Sequence, residues 1–275
     1  MHDIRKLTFI GGGNMAAALI GGLIRRGVAP AHLVAADPGA EALARLAREF
    51  GVPTCADNAV AVRDAEVVVI AVKPQQIRAV CLALAPALVS KPLVISVAAG
   101  IPHAALSRWL GSDVPVVRTM PNRPALNGFG ATGLYAPPAV GAAHRALAES
   151  IMAAVSATVW VDHESQTDTV TALSGSGPAY FFLFMEALEA AARERGLPAE
   201  VAHQLTLATA YGAARMARDS SDSLAALREQ VTSKGGTTAA ALAVLDAAGL
   251  RAIVAHAVAA ADRRSAELAA EFGTP

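Results

Sequence analysis

The sequence is poor in the residues that build disulfides, metal sites and nucleic-acid surfaces. Two of its 275 residues are cysteine, 4% are aromatic, and the 23 Lys and Arg equal the 23 Asp and Glu. Cys55 and Cys81 have no metal or redox spacing, so we interpret them as ordinary thiols of a reducing compartment. The seven histidines are scattered, and no metal site is predicted. Zero formal net charge without runs of like charge argues against nucleic-acid and charged-membrane partners.

No segment has the pattern of a leader or of a membrane span. The chain starts with polar residues, including His2, Asp3, Arg5 and Lys6, before its first apolar run, so no signal peptide is predicted. The apolar stretch Ala16–Ile24 is interrupted by glycine and is too short to cross a bilayer. We therefore expect a cytoplasmic protein.

Two secondary-structure patterns follow each other along the chain. Strand-like and helix-like segments alternate as far as about residue 162, and only helical patterns follow. Val67–Ile70 is apolar without alternation, as in a strand covered on both faces. We expect an α/β Rossmann-type domain with a doubly wound parallel sheet over residues 1–162, then an all-α domain over 163–275. The expected strands are Leu7–Ile10, Leu33–Ala36, Glu66–Val72, Leu93–Val97, Val114–Arg118, Ala131–Tyr135 and Thr158–Val161. The expected helices are Asn14–Arg26, Ala40–Phe50, Gln75–Leu84, His103–Leu110, Val140–Val155, Gln166–Gly196 (broken or kinked at Pro178), Pro198–Asp219, Ser223–Val231, Thr237–Ala248 and Leu250–Phe272.

A dinucleotide-binding fingerprint lies at the first strand–helix junction. The sequence G-x-G-x-x-A at 11–16 follows a strand and precedes a helix. Gly11 allows a tight turn, Gly13 lets a pyrophosphate approach the backbone, and Ala16 keeps helix and strand close. A glycine-rich turn without a ligand is the alternative. Asp37, after the second strand, is a candidate for the adenosine ribose and favours NAD, although Asp-Pro-Gly is also a turn sequence. The predicted cofactor-binding residues here are Ile10, Gly11, Gly12, Gly13, Asn14, Met15 and Asp37.

A second glycine-containing loop, residues 231–238, leads into an alanine-rich helix. Its sequence V-T-S-K-G-G-T-T places hydroxyls and backbone N–H groups at a helix N-terminus, where a carboxylate or phosphate is stabilised. Ser or Thr before a helix is more often only a cap.

Together with three further motifs, these loops resemble the pyrroline-5-carboxylate reductase family. The motifs are A-V-K-P at 71–74, R-x-M-P-N at 118–122 and T-A-L-S-G-S-G-P-A-Y at 171–180. Two residues depart from the common pattern: Arg123 stands where threonine is usual, and Lys234 stands where proline is frequent. Arg123 could alter the rim of the cofactor site, and Lys234 puts a cation near the expected substrate carboxylate.

The resemblance implies an enzyme that reduces a cyclic imine, 1-pyrroline-5-carboxylate, to L-proline with NADPH, or with NADH as the alternative. It implies a homodimer assembled into a larger homo-oligomer. Thr238 would be the catalytic residue, because its hydroxyl would bind the ring nitrogen. The implied substrate-binding residues are Ser176, Gly177, Ser233, Gly235, Gly236, Thr237 and Thr238, and further cofactor-binding residues are Ala71, Val72, Lys73 and Pro74. Ser176 and Gly177 also suit close helix packing, and Asn122 would orient nearby backbone or cofactor, or form a turn.

Two other functions remain open at this point. One is a 3-hydroxyacid-type dehydrogenase, which needs a lysine in the second domain. The four lysines are at 6, 73, 91 and 234, and none lies on the helix that carries residues 174–178. The other is a non-catalytic dinucleotide-binding regulator, against which the intact 231–238 loop argues.

Overall fold

The computed structural model describes residues 4–272, so His2 and Asp3 lie outside the described residues. Within this range the strands are β1 (Leu7–Ile10), β2 (Leu33–Ala36), β3 (Thr54–Cys55), β4 (Val67–Ile70), β5 (Leu93–Ser96), β6 (Val116–Met120), β7 (Gly130–Tyr135) and β8 (Ser156–Trp160). The α-helices are α1 (Asn14–Arg25), α2 (Ala40–Phe50), α3 (Asn58–Ala61), α4 (Pro74–Leu84), α5 (His103–Leu110), α6 (Ala142–Met152), α7 (Gln166–Val170), α8 (Gly177–Glu194), α9 (Ala199–Asp219), α10 (Leu224–Gln230), α11 (Thr237–Ala247) and α12 (Leu250–Phe272). A π-helical segment, Thr171–Gly175, separates α7 from α8, and 3-10 turns occupy Pro30–His32, Ala85–Ala87 and Arg123–Asn127.

The strands form one eight-stranded sheet in the order β3-β2-β1-β4-β5-β6-β7-β8. Ile10 at the end of β1 lies between Ala36 of β2 and Ile70 of β4, and both pairings are parallel. The chain leaves β1 in one direction to form β2 and β3, and continues on the other side with β4. Such a reversal of strand order opens a crevice at the carboxyl ends of the strands, where α/β proteins bind ligands.

The hydrophobic core lies on both faces of this sheet. Leu7 and Phe9 of β1 pack in one cluster with residues of α1 and α6, whereas Ile10 packs in the other with residues of α4 and α5. Successive side chains of a strand point to opposite faces. The sheet is therefore covered on both sides, which confirms the doubly wound arrangement and the double burial expected for Val67–Ile70.

The structure corrects the expected sheet at one pairing and adds two short elements. β6 and β7 are antiparallel, so the sheet is mostly rather than wholly parallel. β3 and α3 were not predicted, because two and four residues are too few for a periodic pattern. The expected helix Gln166–Gly196 is divided just before Pro178, as the proline predicts.

The chain divides into two compact units. One comprises the described residues up to Ser176 together with those from Ala260 onward, and the other is Gly177–Ala259. The boundary between these units lies further along the chain than residue 162, where the strand-like patterns of the sequence end, because α7 packs on the sheet. A Cβ built on Gly133 of β7 would lie 2.7 Å from Cγ1 of Val170, the last residue of α7. In the described residues, no single helix is long and apolar enough to cross a membrane, although α11 and α12, bent by 54°, satisfy that length and composition test as a pair.

Candidate functional site

The turn between β1 and α1 is tight, and glycine is required at its first position. Gly11 has φ of +100°, and its N–H donates to the carbonyl of Ala36 at 2.8 Å. A Cβ on Gly11 would lie 2.6 Å from the Ala71 carbonyl oxygen. The fingerprint turn thus lies directly against the end of β4, where no side chain fits between the two backbones.

Gly13 differs from Gly11 because it faces open space. It precedes α1 in extended conformation, and a Cβ built on it would meet no heavy atom within 4 Å. The N-terminus of α1 at Asn14 has no side-chain cap. Unsatisfied N–H groups and the helix dipole favour an anion at such a position. The residues therefore fit a dinucleotide whose pyrophosphate lies against Gly13.

The carboxylate of Asp37 organises the fingerprint turn from the end of β2. One oxygen accepts from the N–H of Gly12 at 2.7 Å, and the other accepts from the N–H of Gly39 at 2.7 Å. Arg45 of α2 donates to the Gly12 carbonyl at 2.8 Å. This bond was not predicted from the sequence, because it joins residues that lie 33 positions apart in the chain.

The motif A-V-K-P lies beside the fingerprint turn. The N–H of Ala71 donates to the Ile10 carbonyl at 2.7 Å, and Val72 Cγ1 would lie 3.1 Å from a Cβ on Gly11. Lys73 is exposed and Pro74 begins α4. The structure therefore brings all the predicted cofactor residues together at the carboxyl ends of β1, β2 and β4. These residues are Ile10 to Met15, Asp37 and 71–74.

Ser176 and Gly177 follow the π-helical segment. Ser176 is half-buried, and its N–H donates to the Thr171 carbonyl at 2.9 Å. Gly177 is the buried first residue of α8. Asn122, after β6, donates from Nδ2 to the carbonyl of Ser174 at 2.9 Å.

The loop 231–238 belongs to the second unit and leads directly into α11. Gly235 has φ of +72°, which favours glycine, and a Cβ on Gly236 would lie 2.4 Å from Ser233 Oγ, so a side chain there would displace that hydroxyl. No side chain caps α11, whereas Ser223 caps α10. The first N–H groups of α11, at Thr237 and its successors, thus lack a side-chain partner and suit a carboxylate.

A partly buried ion pair joins β6 to the turn before α7 and was not predicted. Arg118 of β6 pairs with Glu164, which also accepts from the backbone N–H of His103 at the start of α5. Burial lowers the pKa of His103 below its usual value. The Glu164 carboxylate acts to raise this pKa, and the positive charge of Arg118 lowers it further. This pair connects the end of β6, α5 and the turn before α7. Within residues 4–272, no cluster of three potential metal ligands occurs.

Comparisons with known proteins match almost the entire chain. A family model described as pyrroline-5-carboxylate reductase dimerisation matches residues 164–268, and one described as NADP oxidoreductase, coenzyme F420-dependent, matches residues 6–100. A pyrroline-5-carboxylate reductase of Pseudomonas aeruginosa is 53% identical over 98% of this chain and 98% of its own length.

Two solved structures have the same fold over nearly their full length. A pyrroline-5-carboxylate reductase of Coxiella burnetii has a TM-score of 0.94 at 44% identity, covering 99% of this chain and 100% of its own. A Plasmodium falciparum pyrroline carboxylate reductase with NADP bound has a TM-score of 0.84 at 29% identity, covering 98% and 99%.

Proposed function

The chain belongs to the pyrroline-5-carboxylate reductase family, and from this premise we propose that it reduces 1-pyrroline-5-carboxylate to L-proline with NADPH or NADH. The observation that carries the proposal is the loop 231–238. Its N–H groups at the start of α11 have no side-chain cap, and its Gly235 has φ of +72°, a backbone geometry that only glycine adopts easily. Such a loop suits a small carboxylate substrate.

The N-terminal set of residues would hold the dinucleotide. The open space at Gly13 and the uncapped start of α1 suit the pyrophosphate, and Lys73 and Pro74 would contact the nicotinamide-side ribose mainly through backbone. When bound, the reduced nicotinamide supplies a hydride. The relative from Plasmodium falciparum, which was solved with NADP bound, supports this assignment.

The substrate would be held by hydroxyl and backbone groups rather than by acid–base residues. A protonated cyclic imine is already an electrophile, so the enzyme mainly has to orient it and exclude water. We propose that Ser233, Gly235, Gly236 and Thr237 bind the carboxylate and ring. The hydroxyl oxygen of the half-buried Thr238 would accept a hydrogen bond from the N–H of the protonated ring nitrogen. This bond would fix the orientation of the ring.

The helical region would form the subunit interface. We propose that residues 163–275 are the dimerisation and substrate domain, that 1–162 are the dinucleotide domain, and that homodimers assemble further. Large apolar side chains of the second unit are exposed in the single chain, among them Phe181 (69%) and Tyr211 (66%). Apolar surface of this extent is typical of an interface, and the family model over 164–268 is described as dimerisation.

We also propose a cytoplasmic location, which agrees with the free thiols of Cys55 and Cys81.

A spectrophotometric assay tests the proposed reaction. Purified protein should oxidise NADPH or NADH only when 1-pyrroline-5-carboxylate is added, and L-proline should appear in equal amount. Oxidation of a 3-hydroxyacid by NAD⁺, without activity on the imine, would instead support the hydroxyacid dehydrogenase. Cofactor binding without either activity would support the non-catalytic regulator.

A further inference from the structure

The segment before α8 contains a backbone carbonyl that has lost its usual helical partner. In a continuous α-helix, the carbonyl of Ser174 would accept from the N–H of residue 178. Residue 178 is proline, which has no N–H. The chain is wound as a π-helix over Thr171–Gly175 just before this point, and π-helical turns are frequent at functional sites.

The side chain of Asn122 takes the place of the missing donor. Its Nδ2 donates to the Ser174 carbonyl at 2.9 Å, and its Oδ1 accepts from the N–H of Ala131 at 2.8 Å. The side chain is almost fully buried, since Asn122 is 8% exposed. The two partners fix the orientation of the amide, because a flipped amide would oppose donor to donor and acceptor to acceptor.

A second contact from the same strand end reaches the π-helical segment. A Cβ built on Gly175 would lie 2.7 Å from Met120 Cε, so Met120 packs directly against the Gly175 backbone. The segment Ser174–Gly175 is therefore held by a hydrogen bond and by packing, both supplied by the end of β6. Ser176 and Gly177, which we assign to the substrate, follow immediately in the chain.

We propose that Asn122 is a positioning residue of the imine reduction. By holding the Ser174 carbonyl, it fixes the backbone that presents Ser176 and Gly177 to the substrate. This inference rests on the proposed function. An asparagine after β6 satisfies both partners, because its amide offers a donor to Ser174 and an acceptor to the N–H of Ala131.

The test compares Asn122→Ala and Asn122→Asp with a matched control in β6, the strand that precedes Asn122. Asn122→Asp keeps an acceptor for the Ala131 N–H but replaces the donor to Ser174 with an oxygen. Thr119→Val is the control, because Thr119 is equally buried and donates to the Ser96 carbonyl at 3.0 Å, away from the π-helical segment. Each variant is assayed for kcat and KM with the imine, for the cofactor Kd without imine, and for Tm.

We expect both Asn122 variants to lose about tenfold or more in kcat/KM for the imine, because small misplacements of a substrate-positioning group are costly. The cofactor Kd should stay within about twofold, and Thr119→Val should keep its kcat/KM within about twofold even where its Tm falls. A purely structural role would lower Tm and weaken cofactor and imine alike.

The proposal is overturned if a folded Asn122 variant keeps the wild-type kcat/KM, or if Thr119→Val loses as much as Asn122→Asp. If Asn122→Ala does not fold, the comparison of Asn122→Asp with Thr119→Val decides the test. Wild-type protein without activity on the imine would refute the proposed function itself, and this outcome is distinct from unchanged activity in the variants.

Discussion

Replacing Gly13 with alanine should weaken cofactor binding without lowering the free energy of unfolding. The residue has φ of −74° and ψ of −173°, which any L-residue adopts, and the new methyl group would meet no protein atom within 4 Å. Since Gly→Ala at a compatible position restricts the unfolded chain, the free energy of unfolding should be unchanged or rise by up to about 1 kcal/mol. The same methyl would occupy the space assigned to the pyrophosphate. We expect the cofactor Kd to rise about tenfold or more, equivalent to about 1.4 kcal/mol.

Gly11→Ala is the matched comparison, because the same chemical change should have the opposite effect there. At φ of +100°, the new Cβ would lie 2.6 Å from the Ala71 carbonyl oxygen and 2.9 Å from its carbon. A left-handed conformation costs a residue with a Cβ about 1–2 kcal/mol, and forced overpacking costs about 1–3 kcal/mol. Gly11→Ala should therefore lower the free energy of unfolding by about 2–5 kcal/mol.

Urea denaturation gives the free energy of unfolding, and titration of nicotinamide fluorescence without imine gives the cofactor Kd. Unchanged cofactor affinity in Gly13→Ala would show that the pyrophosphate does not lie against this residue. Equal stability of the Gly11 and Gly13 variants would refute the geometry of the turn, since only one of the two positions has a backbone neighbour.

Three further predictions concern charge, substrate and pH. Asp37→Ser should shift the ratio of kcat/KM for NADPH over NADH towards NADPH, because it removes a negative charge beside the position proposed for the 2′-phosphate. Thr238→Val deletes only a hydroxyl, and loss of a hydrogen bond to a charged group costs about 1.5–3 kcal/mol; kcat/KM for the imine should therefore fall about ten- to a hundredfold. Burial lowers the pKa of His103 from its usual 6.5, so the folded protein favours the neutral imidazole. The free energy of unfolding should therefore fall as the pH drops below about 6.5, with the loss complete below the folded-state pKa, and His103→Gln should weaken this dependence.

Each of these predictions has its own control. An unchanged cofactor ratio in Asp37→Ser would place this carboxylate outside the ribose site and leave it with its hydrogen bonds to Gly12 and Gly39. Thr237→Val is the comparison for Thr238→Val; if both stay within about twofold of wild type, the loop acts through its backbone N–H groups alone. Identical pH profiles of unfolding for wild type and His103→Gln would exclude His103 as the titrating group.

The local elements that carry the site could be predicted from sequence because their signals are short-range. The strand, three glycines and helix at 7–25 form a continuous pattern, and the structure has β1, the turn and α1 at those positions. The apolar run Val67–Ile70 likewise predicted a strand buried on both faces. The paired glycines before α11 indicated a tight loop at a helix N-terminus, as the structure has it.

Contacts between residues far apart in the chain required the tertiary structure. Asp37 was predicted as a ribose ligand, and only the folded turn shows its carboxylate accepting from the N–H of Gly12, 25 residues away. The bond from Asn122 to Ser174 spans 52 residues, and the one from Arg118 to Glu164 spans 46. The direction of β7 was also missed, since strand patterns do not encode orientation.

The physical reason for this division is the range of the forces involved. Backbone dihedral preferences, helix and strand periodicity, and the conformational freedom of glycine act over a few residues, so the longer helices and strands and the glycine loops could be predicted from local sequence. Satisfying buried polar groups is a condition on the whole fold, because each buried donor or acceptor takes whichever partner the packing brings within reach. Asn122 replaces the N–H that Pro178 lacks, and Asp37 holds the turn in which the cofactor is proposed to bind; both contacts could therefore be found only in the folded chain.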